Sequence, residues 1–118
     1  GHYGSHPIGV GHKLLEDGTV APYGALSFLP FTPLESKAAL EHMYKTPGLV
    51  GKYGLYDAYS YATKAKADQP WIAKSYLGID KGLVLLMFEN YSTQLIWRLL
   101  HQNAHIQKGL KVLRFESK

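Results

Sequence analysis

Six consecutive apolar residues, Leu83-Val84-Leu85-Leu86-Met87-Phe88, limit what this chain can fold into more than any other feature. At about 3.6 residues per turn a helix of that composition has no side to give to water, so it must be enclosed. Enclosure by helices packed roughly 8–10 Å away takes about four to six neighbours. The rest of the chain offers few. A short all-apolar run is also what a central β-strand shows, and the pattern alone does not separate the two. In either case the partners are expected in other polypeptide. The chain, residues 1–118, is therefore read as a C-terminal segment of a larger helical domain, or as a subunit that packs on a second chain.

The helices announce themselves by their ends. Thr32-Pro33-Leu34-Glu35 combines a capping-box spacing with Pro at the first helical position, and Pro47-Gly48 stops the helix after Tyr44 or Lys45. A short apolar stretch, Tyr23 to Leu29, reads as two turns closed by Pro30. The apolar run follows Asp80 and Gly82, is interrupted by Glu89-Asn90-Tyr91-Ser92, and resumes from Leu95 to about His101. Asn103 caps a last helix over 104–113. Between them lie irregular stretches. Residues 1–18 are rich in Gly and His, and His2, His6 and His12 lack the spacing of a metal site. Residues 48–61 hold three glycines and four tyrosines, which suits a long shaped loop or short extended segments. Residues 62–70 read as an exposed connection.

Charge and composition remove several classes of function. Thirteen Lys and Arg against nine Asp and Glu give a net charge of +4, spread along the chain, and no nucleic-acid partner is expected. The nearest basic cluster, Lys108, Lys111, Arg114 and Lys118, suits cations at a helix C-terminus. The absence of cysteine excludes disulfides, a thiol nucleophile and thiolate metal sites. No apolar run approaches the roughly 18 residues of a membrane span.

Four blocks carry a resemblance. Asp17-Gly18-Thr19-Val20-Ala21-Pro22 and Leu29-Pro30-Phe31-Thr32-Pro33-Leu34-Glu35-Ser36 are followed by Tyr53-Gly54-Leu55-Tyr56-Asp57-Ala58-Tyr59 and by the segment from Tyr76 to Tyr91, YLGIDKGLVLLMFENY. In that order they resemble the bacterial glucoamylase-like domain family, which includes endo-β-1,2-glucanases and a region of cyclic β-1,2-glucan synthases. The resemblance implies an all-α fold, the C-terminal part of an (α/α)₆ toroid with long Gly/Tyr-rich loops. It implies a glycoside hydrolase acting on β-glucan, most plausibly β-1,2-linked, in the periplasm or secreted, with no metal or organic cofactor. Lys81 and Leu83 stand where the family usually has Gln and Pro, and a glycine-rich WGLTASDGP-like stretch is missing. A non-catalytic glucan-binding or protein-interaction fragment is the alternative.

Glycoside hydrolysis uses two carboxyl groups across the scissile bond. Asp57, Asp80 and Glu89 are the candidates, because each sits among apolar or aromatic neighbours, where burial raises a carboxyl pKa unless a donor or cation compensates. Asp57 suits a general base acting on water, or a loop carboxylate that accepts backbone N–H groups. Asp80 suits a helix N-cap or a sugar-hydroxyl ligand. Glu89, beside Asn90, would need Arg98, a Tyr hydroxyl or sugar as its partner. Pyranose rings need flat aromatic faces next to directional polar groups, and Tyr53, Tyr56, Tyr59, Tyr61, Trp71, Asn90 and Tyr91 are the candidate substrate contacts. The general acid is expected in polypeptide outside this chain.

Overall fold

The computed structural model describes residues 18–62 and 69–115. The Gly/His-rich segment with its three histidines, and most of the 62–70 connection, lie outside the described residues. The chain is mostly helical, with two short hairpins. Helices α1 (Pro22–Ser27) and α2 (Pro33–Lys45) come first, then β1 (Val50–Gly51), β2 (Gly54–Leu55), β3 (Ala58–Ser60) and β4 (Trp71–Ala73). Helices α3 (Gly78–Thr93), α4 (Leu95–His101) and α5 (Ala104–Val112) close the order.

Local chemistry accounts for most boundaries. Pro22 and Pro33 open their helices with φ already suited to the first turn. The Thr32 hydroxyl does not cap α2; it donates back to the Phe28 carbonyl, which turns it away from the N–H groups the capping box would have used. Asn103 does cap α5, its Oδ1 accepting from the N–H groups of His105 and Ile106. Helix α3 begins earlier than the sequence predicts. Its cap position is Leu77, so Asp80 stands in the first turn and is not the N-cap. Gln94, at φ 57°, breaks the apolar stretch into α3 and α4.

Residues 48–61 and their partners form the hairpins. In the first, Val50 pairs with Leu55 and Gly51 with Gly54, antiparallel. In the second, Ala58, Tyr59 and Ser60 pair with Ala73, Ile72 and Trp71. Val20 joins β3 through two backbone bonds with Tyr59, at 2.8 and 3.0 Å.

The core lies where α1, α2 and the hairpins meet. Leu26, Met43, Leu49, Leu55 and Tyr59 are buried together, with Ala39, Leu40, Tyr56, Ile72 and Val84 against them. The Ser36 hydroxyl donates to the Ala25 carbonyl at 2.9 Å and ties α2 to α1. The apolar run is helical, not a strand, and its own chain leaves much of it uncovered. Ile79 is 81% exposed and Leu85 70%, and Leu83, Leu86 and Phe88 are open as well. Of α3, only Asn90 is fully buried. Among the described residues no helix is long and apolar enough to cross a membrane.

Candidate active site

Two backbone hydrogen bonds build the site. The N–H of Tyr56 donates to Leu49 and the N–H of Asp57 to Ser75, at 2.9 and 3.1 Å. The second bond brings the β2–β3 connection against the start of α3. Asp57 and Asp80, 23 residues apart in sequence, therefore line one small cavity.

Asp57 is 4% exposed, and among the described residues no donor reaches either of its carboxyl oxygens or Oδ2 of Asp80. The two carboxyls share a cavity of about 10 Å³ lined by Tyr23, Tyr56, Leu77 and Lys81. That is the lower limit of space for one water. Desolvation, reinforced by the contact with Asp57 and its charge and opposed by Lys81, pushes the Asp80 carboxyl up to about 6. Lys81 does not pair with either acid. Its Nζ donates to the Leu55 carbonyl at 2.6 Å and lies 5.8 Å from the Tyr76 ring centroid.

Tyrosines form one wall. The rings of Tyr56 and Tyr76 stack at a tilt, 5.0 Å between centroids, and Tyr53 meets Tyr76 edge-on at 5.4 Å. The hydrogen bond with Tyr76, then desolvation and the Tyr76 charge, hold the Tyr56 phenol above its ordinary value. Gly51 makes this packing possible: a Cβ there would overlap the Tyr76 hydroxyl and the Tyr56 ring. Tyr53, 68% exposed, offers an open face beside them.

The other sequence candidates lie elsewhere. Glu89 is nine residues beyond Asp80 on α3, which is half a turn round and about 13.5 Å along the axis. Its carboxylate accepts the Thr93 hydroxyl. Arg98 is not its partner. Asn90 is buried, and its Oδ1 accepts the Trp97 N–H at 3.1 Å, tying α3 to α4. Tyr59 belongs to the core, where burial, and then the charge of Tyr61, raises its phenol. Trp71 is half-buried on β4, opposite Ser60. Tyr91 is exposed along an apolar groove of about 410 Å³ between α2 and α3. Tyr23 and Tyr76 were not singled out by sequence reasoning, and Lys81 was noted only as a departure from the family pattern. Tyr76 and Lys81 fall inside the YLGIDKG block, which was the available signal.

This arrangement, two carboxyls on one small cavity beside stacked tyrosines, can be set beside known proteins. The "Putative glucoamylase" family model matches residues 2–104. The chain belongs to that family. It is 35% identical over 101 residues to an exo β-1,2-glucooligosaccharide sophorohydrolase (non-reducing end) of Parabacteroides distasonis, covering 84% of this chain and 13% of that protein. A solved endo-β-1,2-glucanase from Chitinophaga pinensis, in complex with sophorotriose and glucose, is 40% identical over 80% of this chain and 22% of its own, with a TM-score of 0.65. A β-1,2-glucanase structure from Parabacteroides distasonis is 36% identical over 81% of this chain and 13% of its own, with a TM-score of 0.67. The chain thus spans a small part of these relatives. As a member of the family, its helices correspond to part of an α/α toroid.

Proposed function

We propose that this chain is part of a glycoside hydrolase that cleaves β-glucan, β-1,2-linked as in its relatives, and that Asp57 is the general base. The observation that carries the reading is the burial of Asp57, without a donor among the described residues, in a cavity sized for one water and walled by Tyr56. A carboxylate so placed can accept a proton from a water and offers no room for a sugar carbon to reach it, which favours activation of water over direct attack on the sugar. Tyr53, Tyr56 and Tyr76 are the sugar platform beside it. Paired acid and base in glycosidases stand at least about 5 Å apart. Asp80 lines the same cavity of about 10 Å³ as Asp57, which leaves no room for a sugar between them, so it is not the acid, and Glu89 faces away. The acid therefore belongs to further polypeptide.

The uncovered apolar side of α3 supports the same reading, since a toroid helix is covered on both flanks by other helices of its domain. We place the site between this chain and the remaining part of the domain or a second chain. On the resemblance alone, the enzyme works in the periplasm or outside the cell. In the intact polypeptide, Asp57→Asn is expected to lower glucan turnover by roughly 10²–10⁴-fold, with glucan binding still measurable. Turnover unchanged in that variant would remove Asp57 from the chemistry and favour a non-catalytic glucan-binding role.

A further inference from the structure

Asp57 and Asp80 line one cavity of about 10 Å³, which leaves no space between them for a glycosidic bond, so Asp80 has a different task. Its surroundings narrow that task. The titratable groups facing it are Asp57 from the β2–β3 connection, Tyr56 beside it, Tyr23 from α1 and Lys81 from α3. Lys81 spends its ammonium on the Leu55 carbonyl and offers no bond to the acids. Two ionised carboxylates here would repel each other, with three buried oxygens lacking a donor among the described residues. Buried acceptors left in that state cost free energy. One proton on Asp80 reduces the charge of the pair from two negative to one and supplies a missing O–H.

We infer that Asp80 is the positioning residue of this site, its protonated carboxyl donating an O–H to Asp57 and fixing the orientation of that carboxylate. This rests on the reading of Asp57 as base. The proton comes from solvent and returns to it as pH rises; turnover does not consume it. Desolvation and the neighbouring Asp57 keep the neutral form populated up to about pH 6, and the Lys81 charge opposes them. Above that pH the pair is doubly charged and Asp57 loses its tether.

The test uses the intact polypeptide and β-1,2-glucan, with kcat and KM measured from pH 4.5 to 8. Wild-type kcat is expected to decline as pH rises through about 6. Asp80→Asn keeps an N–H donor at every pH, so its kcat at pH 5 stays within a few-fold of wild type and the step near pH 6 is lost, leaving only the alkaline limb set by the general acid of the further polypeptide. Asp80→Ala has no donor, and its kcat falls about tenfold or more across the range with little change in KM. Lys81→Met moves the decline to higher pH. Asp80→Asn as impaired as Asp80→Ala at pH 5 would overturn the proposal, as would a wild-type profile that neither variant alters. Infrared difference spectra, wild type minus Asp80→Asn, supply a readout apart from turnover. A protonated-carboxyl band at pH 5 that fades near pH 6 supports the inference, and its absence at pH 5 overturns it. An active Asp57→Asn would refute the base reading separately, while the infrared band still reports on Asp80.

Discussion

At the scale of single residues, the site depends on what Asp80 and Gly51 permit. Asp80 in the folded chain holds its proton up to about pH 6, against an ordinary value of 3.8. Between those values the folded state binds a proton that the unfolded state has lost, so stability falls as pH rises from about 4 to 6 and changes no further above that. Denaturant titrations of wild type and Asp80→Asn should diverge over that window, with the Asn variant lacking this component. Gly51 is the second lever. Gly51→Ala pushes a methyl into Tyr56 and Tyr76, and overpacking of that kind costs about 1–3 kcal/mol. We expect KM for glucan to rise several-fold or more with a smaller change in kcat, and a parallel change in tyrosine near-ultraviolet circular dichroism. Asp57 and Asp80 were each legible in the sequence from their apolar and aromatic flanks. Their meeting was not, because it is made by the Asp57-to-Ser75 backbone bond, which no local pattern encodes. Tyr59 lies in the core for a similar reason: its flanks resemble those of Tyr56, but it stands on β3, all three residues of which are buried.

At the scale of elements, what could be read followed the strength of the end signals. Proline at the first turn fixed the start of α2 and the Asn103 cap fixed α5, whereas α1, read from the apolar stretch Tyr23 to Leu29, begins at Pro22 and ends at Ser27. The strands are two or three residues each, too short for a period to show, and are defined by partners in other segments. The break at Gln94 was foreshadowed only by the polar interruption before it. Gln94 occupies the left-handed region at φ 57°, where a side chain is strained and glycine is not. Gln94→Gly is therefore expected to stabilise the protein by about 0.5–1 kcal/mol, and Gln94→Val to destabilise it by a similar amount or more. Thermal melts of the two variants check the sign. The Trp97 N–H, donating to Asn90 Oδ1, ties α3 to α4 in both.

At the scale of the whole molecule, the chain is extended. Its radius of gyration is 17.3 Å, with extents of 53 × 35 × 25 Å, whereas a compact domain of this length has about 13–14 Å. On the proposed reading the excess and the bare apolar side of α3 have one cause, since helices that pack in a toroid need neighbours on both flanks. The sequence showed this need through six residues, Leu83 to Phe88, before any coordinate did. It could not show which side would stay bare, because an all-apolar helix carries no directional pattern. The same incompleteness divides the proposed chemistry, with the base and the tyrosine wall here and the acid elsewhere. The most direct test is release of sugar from β-1,2-glucan by the 118-residue chain alone and by the intact polypeptide at equal molarity. The account predicts cleavage by the intact polypeptide and none by the chain alone; comparable turnover by the isolated chain would contradict it.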